Sequence, residues 1–302
     1  MTPRNLPASV HDRLLQLSRD RDMDFNLLLQ RYAAERFLYR LGESRFRNAF
    51  TLKGAMLFAF WSGQAYRATR DLDLLGQGSG NPADVAGVVR EICAVQVPDD
   101  GLEFQPDTIR VNSIRGATDE GGVRLLLVAR LGTARVTLQV DVGFGDSLVP
   151  PAAEIVFPVL LDGPEPRILA YSRESVVAEK FHAMVSLGLA NSRMKDFYDL
   201  LTLSRSFSFE GQRLVLAVAA TFKSRQTQIP SAVPDSLTPA FYEEPGKVQQ
   251  WKAYLTKGDL TDVPTDFASV GKSLRLFLPP VLEAASSRNA FDVTWPAGGP
   301  WR

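Results

Sequence analysis

Apolar positions in the first forty residues recur at close to the 3.6-residue helical period. Val10, Leu14, Leu15 and Leu17 form one run, and Leu27, Leu28, Leu29, Tyr32, Ala33, Phe37 and Leu38 form another. The spacing predicts two helices over 8–41, separated by the polar stretch 18–24, with Pro7 and Ser9 as start signals. Residues 49–61 read as a short strand, a Lys-Gly break and an apolar helix, and Leu72, Leu74 and Leu75 mark a short buried strand. Asn81 and Pro82 open a helix reaching about Cys93. The period then changes. Segments 102–104, 108–113, 123–131 and 134–142 are short, aliphatic and separated by Gly turns, so they predict a sheet, with Gly132-Thr133 joining the last pair as a hairpin. Residues 150–171 hold six prolines or glycines and read as an extended connection. From Ser172 the helical period returns through 176–187, 197–203 and 211–223, then in patches over 248–256 and 268–285, with Pro-rich breaks at 230–239 and 279–280.

The pattern gives an α+β chain: N-terminal helices over 1–48, a mixed-sheet lobe over 49–165 and a helical lobe over 172–302. Composition narrows the chemistry. One cysteine, Cys93, excludes a disulfide framework and a Cys-based zinc site, and two histidines, His11 and His182, make a His-rich metal cage improbable. Cys93 reads as a small apolar residue and His182 as a core histidine. No apolar run approaches the length that crosses a bilayer, and the first residues lack the apolar core of a signal peptide, so a cytoplasmic protein is expected. The net charge is zero, yet its distribution is uneven. Residues 51–170 carry ten basic and fifteen acidic side chains, whereas 1–50 carry nine and six and 171–225 eight and five. That asymmetry fits either chance or a carboxylate-bearing lobe between surfaces that accept phosphates.

The most informative residues are Asp71-Leu72-Asp73. On a strand, i and i+2 share a face, and two adjacent carboxylates repel unless a cation sits between them. Mg²⁺ is the usual solution, held by one or two carboxylates and substrate phosphates. Lys53-Gly54-Ala55-Met56 occupies a strand-to-helix turn, where backbone N–H groups favour an anion and Gly permits close approach. Thr69 falls two residues before Asp71, and Arg67 and Arg70 add cations. Asp141 stands between two valines on a later strand, and a carboxylate so placed needs a partner. Asp146 follows in a Gly-Phe-Gly-Asp turn and reads as a turn former.

Read in order, these motifs resemble the AbiEii/MenT group of nucleotidyltransferase toxins, within the polymerase β-like superfamily. The resemblance rests on Leu52-Lys53-Gly54-Ala55, on Arg67 through Leu74, and on Asp141-Val142-Gly143-Phe144-Gly145-Asp146. It continues with Glu179-Lys180-Phe181-His182-Ala183 and with Arg193 through Leu200, spanning 51–200, while 226–302 carry no recognisable match. The first block departs from the superfamily pattern, with Ala55 and Met56 where a second Gly and a small hydroxyl residue often stand.

The resemblance implies a two-lobed nucleotidyltransferase fold. It implies Asp71, Asp73 and Asp141 as metal ligands for Mg²⁺ (or Mn²⁺), with Lys180 and Asp196 completing the catalytic set. Lys53, Gly54, Thr69, Arg193 and Lys195 would contact the nucleotide; Asp199 ranks below Asp196, as a cap or a partner of Lys195. The implied reaction transfers a nucleotide from an NTP to RNA, such as the 3′ end of tRNA, with an antitoxin as partner. Protein nucleotidylation, a silent nucleotide- or antitoxin-binding module and a D-x-D glycosyltransferase are the competing readings.

Overall fold

The computed structural model describes residues 5–63, 67, 69–114, 121–287 and 289–302. Two compact units emerge. The first runs through Gly145 and resumes from Ala153 to Tyr171; the second comprises Asp146–Ala152 and Ser172–Arg302.

The first unit is built on a seven-stranded mixed sheet. Its strands are β1 (Phe50–Lys53), β2 (Asp71–Gly76), β3 (Leu102–Ile114), β4 (Gly122–Leu131), β5 (Ala134–Gly143), β6 (Ala153–Val156) and β7 (Arg167–Ala170), in the order β3-β4-β5-β2-β1-β7-β6. β2 runs parallel to β5 and antiparallel to β1, and β1 runs parallel to β7. Its helices are α1 (Leu6–Asp20), α2 (Phe25–Glu43), α3 (Met56–Ser62) and α4 (Pro82–Cys93). Leu72, Leu74, Leu125, Leu127, Leu138, Val140 and Val142 are buried, and α2 and α4 pack against the sheet. Alternating residues of β2, β4 and β5 lie on the opposite, more open face.

Local chemistry explains the boundaries. Asn5, rather than Ser9, caps α1 through its Oδ1, and Asp24 caps α2 and so ends the polar break. The predicted strands 102–104 and 108–113 are one strand, β3, with its register shifted between Gln105 and Arg110. The extended connection expected at 150–171 contains β6 and β7. Both are only four residues long, with prolines outside them at 150, 151, 158, 164 and 166, so loop composition masked their pattern.

Helix α2 carries charges into the core. Glu35 is fully buried, ion-paired to Arg31 at 2.9 Å, and accepts the Leu160 N–H at 3.0 Å. Burial raises its carboxyl pKa, opposed chiefly by Arg31. Arg36 donates to Pro164 O at 3.0 Å, and Arg40 grips Asp100 at 2.7 and 3.2 Å. One helix thereby fixes two loops. Glu35→Ala leaves the Leu160 N–H unpaired and Arg31 without its partner, and is expected to remove about 3 kcal/mol of stability, read from the urea midpoint.

The second unit is helical: α5 (Arg173–Leu187), α6 (Met194–Ser206), α7 (Gly211–Ser224), α8 (Pro239–Tyr242), α9 (Pro245–Gly258) and α10 (Phe267–Ser287). A two-residue ladder, β8 (Phe209–Glu210) with β9 (Thr294–Trp295), ties α7 to the C-terminal segment. Phe197, Phe241, Trp251 and Phe267 stack at its centre, and Phe277, Trp295 and Trp301 form a second aromatic group. The expected break at 279–280 is absent, because α10 runs through Pro279 and Pro280. Those prolines withdraw hydrogen-bond donors from the carbonyls of Arg275 and Leu276, and both residues are exposed, so water can replace the missing donors.

His182 sits in this core, as expected for a core histidine, 3% exposed. Nδ1 lies 3.4 Å from Arg225 Nη1, which can only donate, so Nε2 carries the proton and donates to Thr227 Oγ1 at 2.8 Å. Burial first, and Arg225 second, lower its pKa from 6.5 to about 4. Arg225 in turn holds Asp146 at 2.9 and 3.0 Å and Glu179 at 3.1 Å. Between pH 6.5 and about 4 the unfolded chain binds this proton and the folded one does not, so stability falls as pH drops through that window. Urea midpoints between pH 7 and 4.5 are expected to fall more steeply for wild type than for His182→Gln, by at most about 1.4 kcal/mol per pH unit.

Candidate active site

The carboxylates of the first unit are set by strand register. Leu72 and Leu74 take the buried face of β2, which leaves Asp71 and Asp73 together on the other. Asp73 pairs across the sheet with Asp141 of β5 on one side and with Lys53 of β1 on the other. Arg124 of β4 pairs with Asp141, and Asn112 of β3 with Arg124. One row therefore crosses five strands as Asn112, Arg124, Asp141, Asp73, Lys53. Asp71 belongs to the next row, opposite Gln139.

Three carboxylates in so small an area need positive charge. Arg124 supplies it by a two-point contact with Asp141, 2.8 Å from Nε and 2.6 Å from Nη2, and Gln139 Nε2 adds a third bond at 3.1 Å. The guanidinium is held more firmly protonated by its hydrogen bonds to Asp141, with the charges of Asp141, Asp71 and Asp73 adding to the effect. Lys53 Nζ lies 5.4 Å from the ring centre of Tyr171.

Gly54 follows Lys53 with φ of +75°, and a Cβ there would collide with the Asp73 carboxylate. The glycine makes room for a carboxylate as much as for a phosphate. Helix α3 beyond it has only seven residues, which weakens the helix-dipole argument for anion binding at this turn. Thr69 precedes β2, and its Oγ1 lies 3.5 Å from Asp71 O.

Asp71 and Asp73 offer hard oxygen donors on one face, a set that suits Mg²⁺ completed by substrate phosphates. Both oxygens of Asp141 are engaged by Arg124, and among the described residues no group of three or more acidic, His or Cys side chains is arranged to hold a metal ion.

The second unit contains its own polar cluster. Lys180 of α5 reaches Asp196 Oδ1 at 2.9 Å and Asp199 Oδ2 at 2.6 Å, both on α6. The two carboxylates are 0% and 1% exposed. Arg193 Nε approaches Asp196 Oδ2 to 2.6 Å as an ion pair, without the alignment of a hydrogen bond. Two buried anions thus face two cations. Asn191 Oδ1 receives the Arg193 N–H at 2.9 Å, and Lys247 donates to Asn191 O at 2.8 Å.

The family model for the nucleotidyl transferase AbiEii toxin of type IV toxin–antitoxin systems matches residues 36–273. The chain belongs to the AbiEii nucleotidyltransferase toxin family. No curated protein sequence matches it. Among solved structures, JHP933 from Helicobacter pylori aligns at a TM-score of 0.43 and 14% identity, over 84% of this chain and 88% of that one. A candidate nucleotidyltransferase from H. pylori aligns at 0.45 and 14%, over 95% and 97%. Membership of an AbiEii family brings a nucleotide substrate and an antitoxin partner. No described helix is long and apolar enough to cross a membrane.

Of the site residues expected in this AbiEii chain, Lys53, Gly54, Asp71, Asp73 and Asp141 lie together in the first unit, with Thr69 just ahead of β2. Lys180, Asp196 and Arg193 lie together in the second, and Lys195 is exposed on α6. Sequence reasoning missed Arg124, because its partner is set by a hairpin register and no motif marks it. It also gave Asp199 as a cap or a partner of Lys195, whereas the side chain binds Lys180; the three-residue step from Asp196 along α6 was the available signal. Glu179 pairs with Arg225. Lys180→Met is expected to cost about 3–5 kcal/mol in urea unfolding, because it strands two buried carboxylates. Adding Asp196→Asn and Asp199→Asn should recover most of that loss. A single variant as stable as wild type would show that this cluster does not hold α5 to α6.

Proposed function

We propose that this AbiEii-family enzyme transfers the nucleoside monophosphate of an NTP to the 3′-hydroxyl of an RNA, with the 3′ end of tRNA as the acceptor, and so arrests translation in the cytoplasm. The observation that carries the reading is the row Asp141–Asp73–Lys53 with Asp71 beside it on one open sheet face. Asp71 and Asp73 would hold Mg²⁺ (or Mn²⁺) against the nucleotide phosphates, and the bound ion would supply charge neutralisation at the α-phosphate. Lys53 and Arg124 add fixed positive charge on either side of the carboxylates. The acceptor oxygen forms a bond to the α-phosphorus as the bond to the β-phosphate oxygen breaks, and pyrophosphate leaves. The hydroxyl proton passes to a carboxylate, and Asp141, one strand from Asp73, is the proposed acceptor. Lys180, held by Asp196 and Asp199, is the candidate catalytic cation of the second unit.

The engagement of Asp141 by Arg124 favours one alternative, a module that binds nucleotide without turning it over. Purified protein incubated with Mg²⁺, each labelled NTP in turn and total tRNA separates the readings on a denaturing gel, with a protein extract as a parallel acceptor. Label is expected in tRNA, and Asp73→Asn is expected to reduce it by about 10³-fold, as loss of several kcal/mol of charge stabilisation demands. Label in protein alone would move the reading to protein nucleotidylation. No label from any NTP would leave the binding module.

A further inference from the structure

The open face that carries the carboxylates continues along β3, β4 and β5 beyond the start of β2. There it forms a cleft of about 400 Å³. Leu126 and Val128 line it together with the hydroxyls of Thr108 and Thr137 and the guanidiniums of Arg110 and Arg135. Among the described residues its one acidic lining residue is Asp107.

The cleft is made by the bulge in β3. Gln105 pairs with Val128 and Arg110 with Leu126, so residues 106–109 leave the ladder. Thr108 replaces what the bulge removes, since its Oγ1 accepts the Val128 N–H at 3.0 Å and donates to Gln105 O at 2.7 Å. That wall is pre-formed. A bulge on an edge strand commonly re-aims side chains beside a functional site.

The charges are the second observation. Arg130 of β4 and Arg135 of β5 stand directly opposite each other, and both are exposed. Like charges in that position destabilise a sheet. Neither they nor Arg110 form an ion pair among the described residues, although Arg124 on the same face of β4 is paired to Asp141. Glu103 of β3 stands opposite Arg130, which leaves Arg110 and Arg135 as the cations that line the cleft, without an ion pair among the described residues, beside an apolar floor. That arrangement matches a strand offering phosphates and apolar base faces at close intervals. Along β5, Thr137 is four residues from Asp141, a rise of about 13 Å, within reach of the last few nucleotides of a strand whose 3′ end lies at the carboxylates.

We infer that this cleft docks the single-stranded 3′ segment of the acceptor RNA, its phosphates on Arg110 and Arg135 and its bases against Leu126 and Val128. The inference rests on the transferase reading above and names where its acceptor binds. Asp107 opposes the strand and limits its affinity.

The test uses the full chain and a fluorescent single-stranded RNA ending in a 3′-deoxynucleotide, which cannot be extended, followed by anisotropy across a salt series. Arg110→Ala with Arg135→Ala is expected to weaken binding at least tenfold and to lower the salt slope by about 1.4, the loss of two single-strand phosphate contacts. Arg135→Lys should retain most affinity, and Asp107→Asn should raise it. In transfer assays the double variant should raise the KM for RNA and leave the KM for NTP unchanged. A double variant that binds RNA with wild-type affinity and slope, while wild type still labels RNA, overturns the docking site alone. So does a rise in the NTP KM instead, which would make the cleft part of the nucleotide site. A wild-type chain that neither binds nor labels RNA overturns both readings.

Discussion

The pleat of β2 decides where the chemistry of this protein can stand. Because successive side chains alternate, burying Leu72 and Leu74 against the helical layer obliges Asp71 and Asp73 to share the other face. A slip of one residue would carry two carboxylates into the core and two leucines into water, so the register is fixed by hydrophobic burial and the site inherits it. The neighbouring strands follow from the same registration: parallel pairing to β5 brings Asp141 beside Asp73, and antiparallel pairing to β1 brings Lys53 there from the other side. A candidate site assembled from ladder pairs is as rigid as the sheet itself.

Charge is managed differently in the two units. In the first, the carboxylates lie partly open, where substrate phosphates and a cation can reach them, and Arg124 compensates only part of their charge. In the second, Lys180 and Arg193 neutralise two carboxylates that are essentially sealed from solvent. Such buried pairs rarely add much net stability but make the loss of any one member expensive. Helix α2 uses the same device, with Glu35 and Arg40 each reaching a distant loop.

Much of the first unit was legible because alternation and turn chemistry are local. The segment from Asp71 to Gly76 announces a half-buried strand, and its two aspartates announce a charged face. Elements whose cause is not local were harder to see. β6 and β7 exist because they extend the sheet beyond β1, although proline and glycine dominate the segment that holds them. Helix α10 survives two prolines because the carbonyls they orphan belong to exposed residues, a fact of burial that composition does not carry. In the site, aspartates were visible by spacing, but Arg124 became meaningful only through the hairpin that aligns it with Asp141. Asp199 was visible and misassigned, because a neighbour on its own helix looked closer than a lysine on another.

The chain does not divide between its two units at one point. After β5 it lends the strap Asp146–Ala152 to the second unit, returns to build β6 and β7, and leaves again at Ser172. That strap's Asp146 and Glu179 of α5 both hold Arg225, beside a histidine whose pKa burial lowers. A fragment cut at residue 172 would inherit the helices without Asp146, and one ending at 145 would lack two strands of its own sheet. The two units are thus topologically interlaced modules, and neither could have been acquired, lost or exchanged as an uninterrupted length of gene.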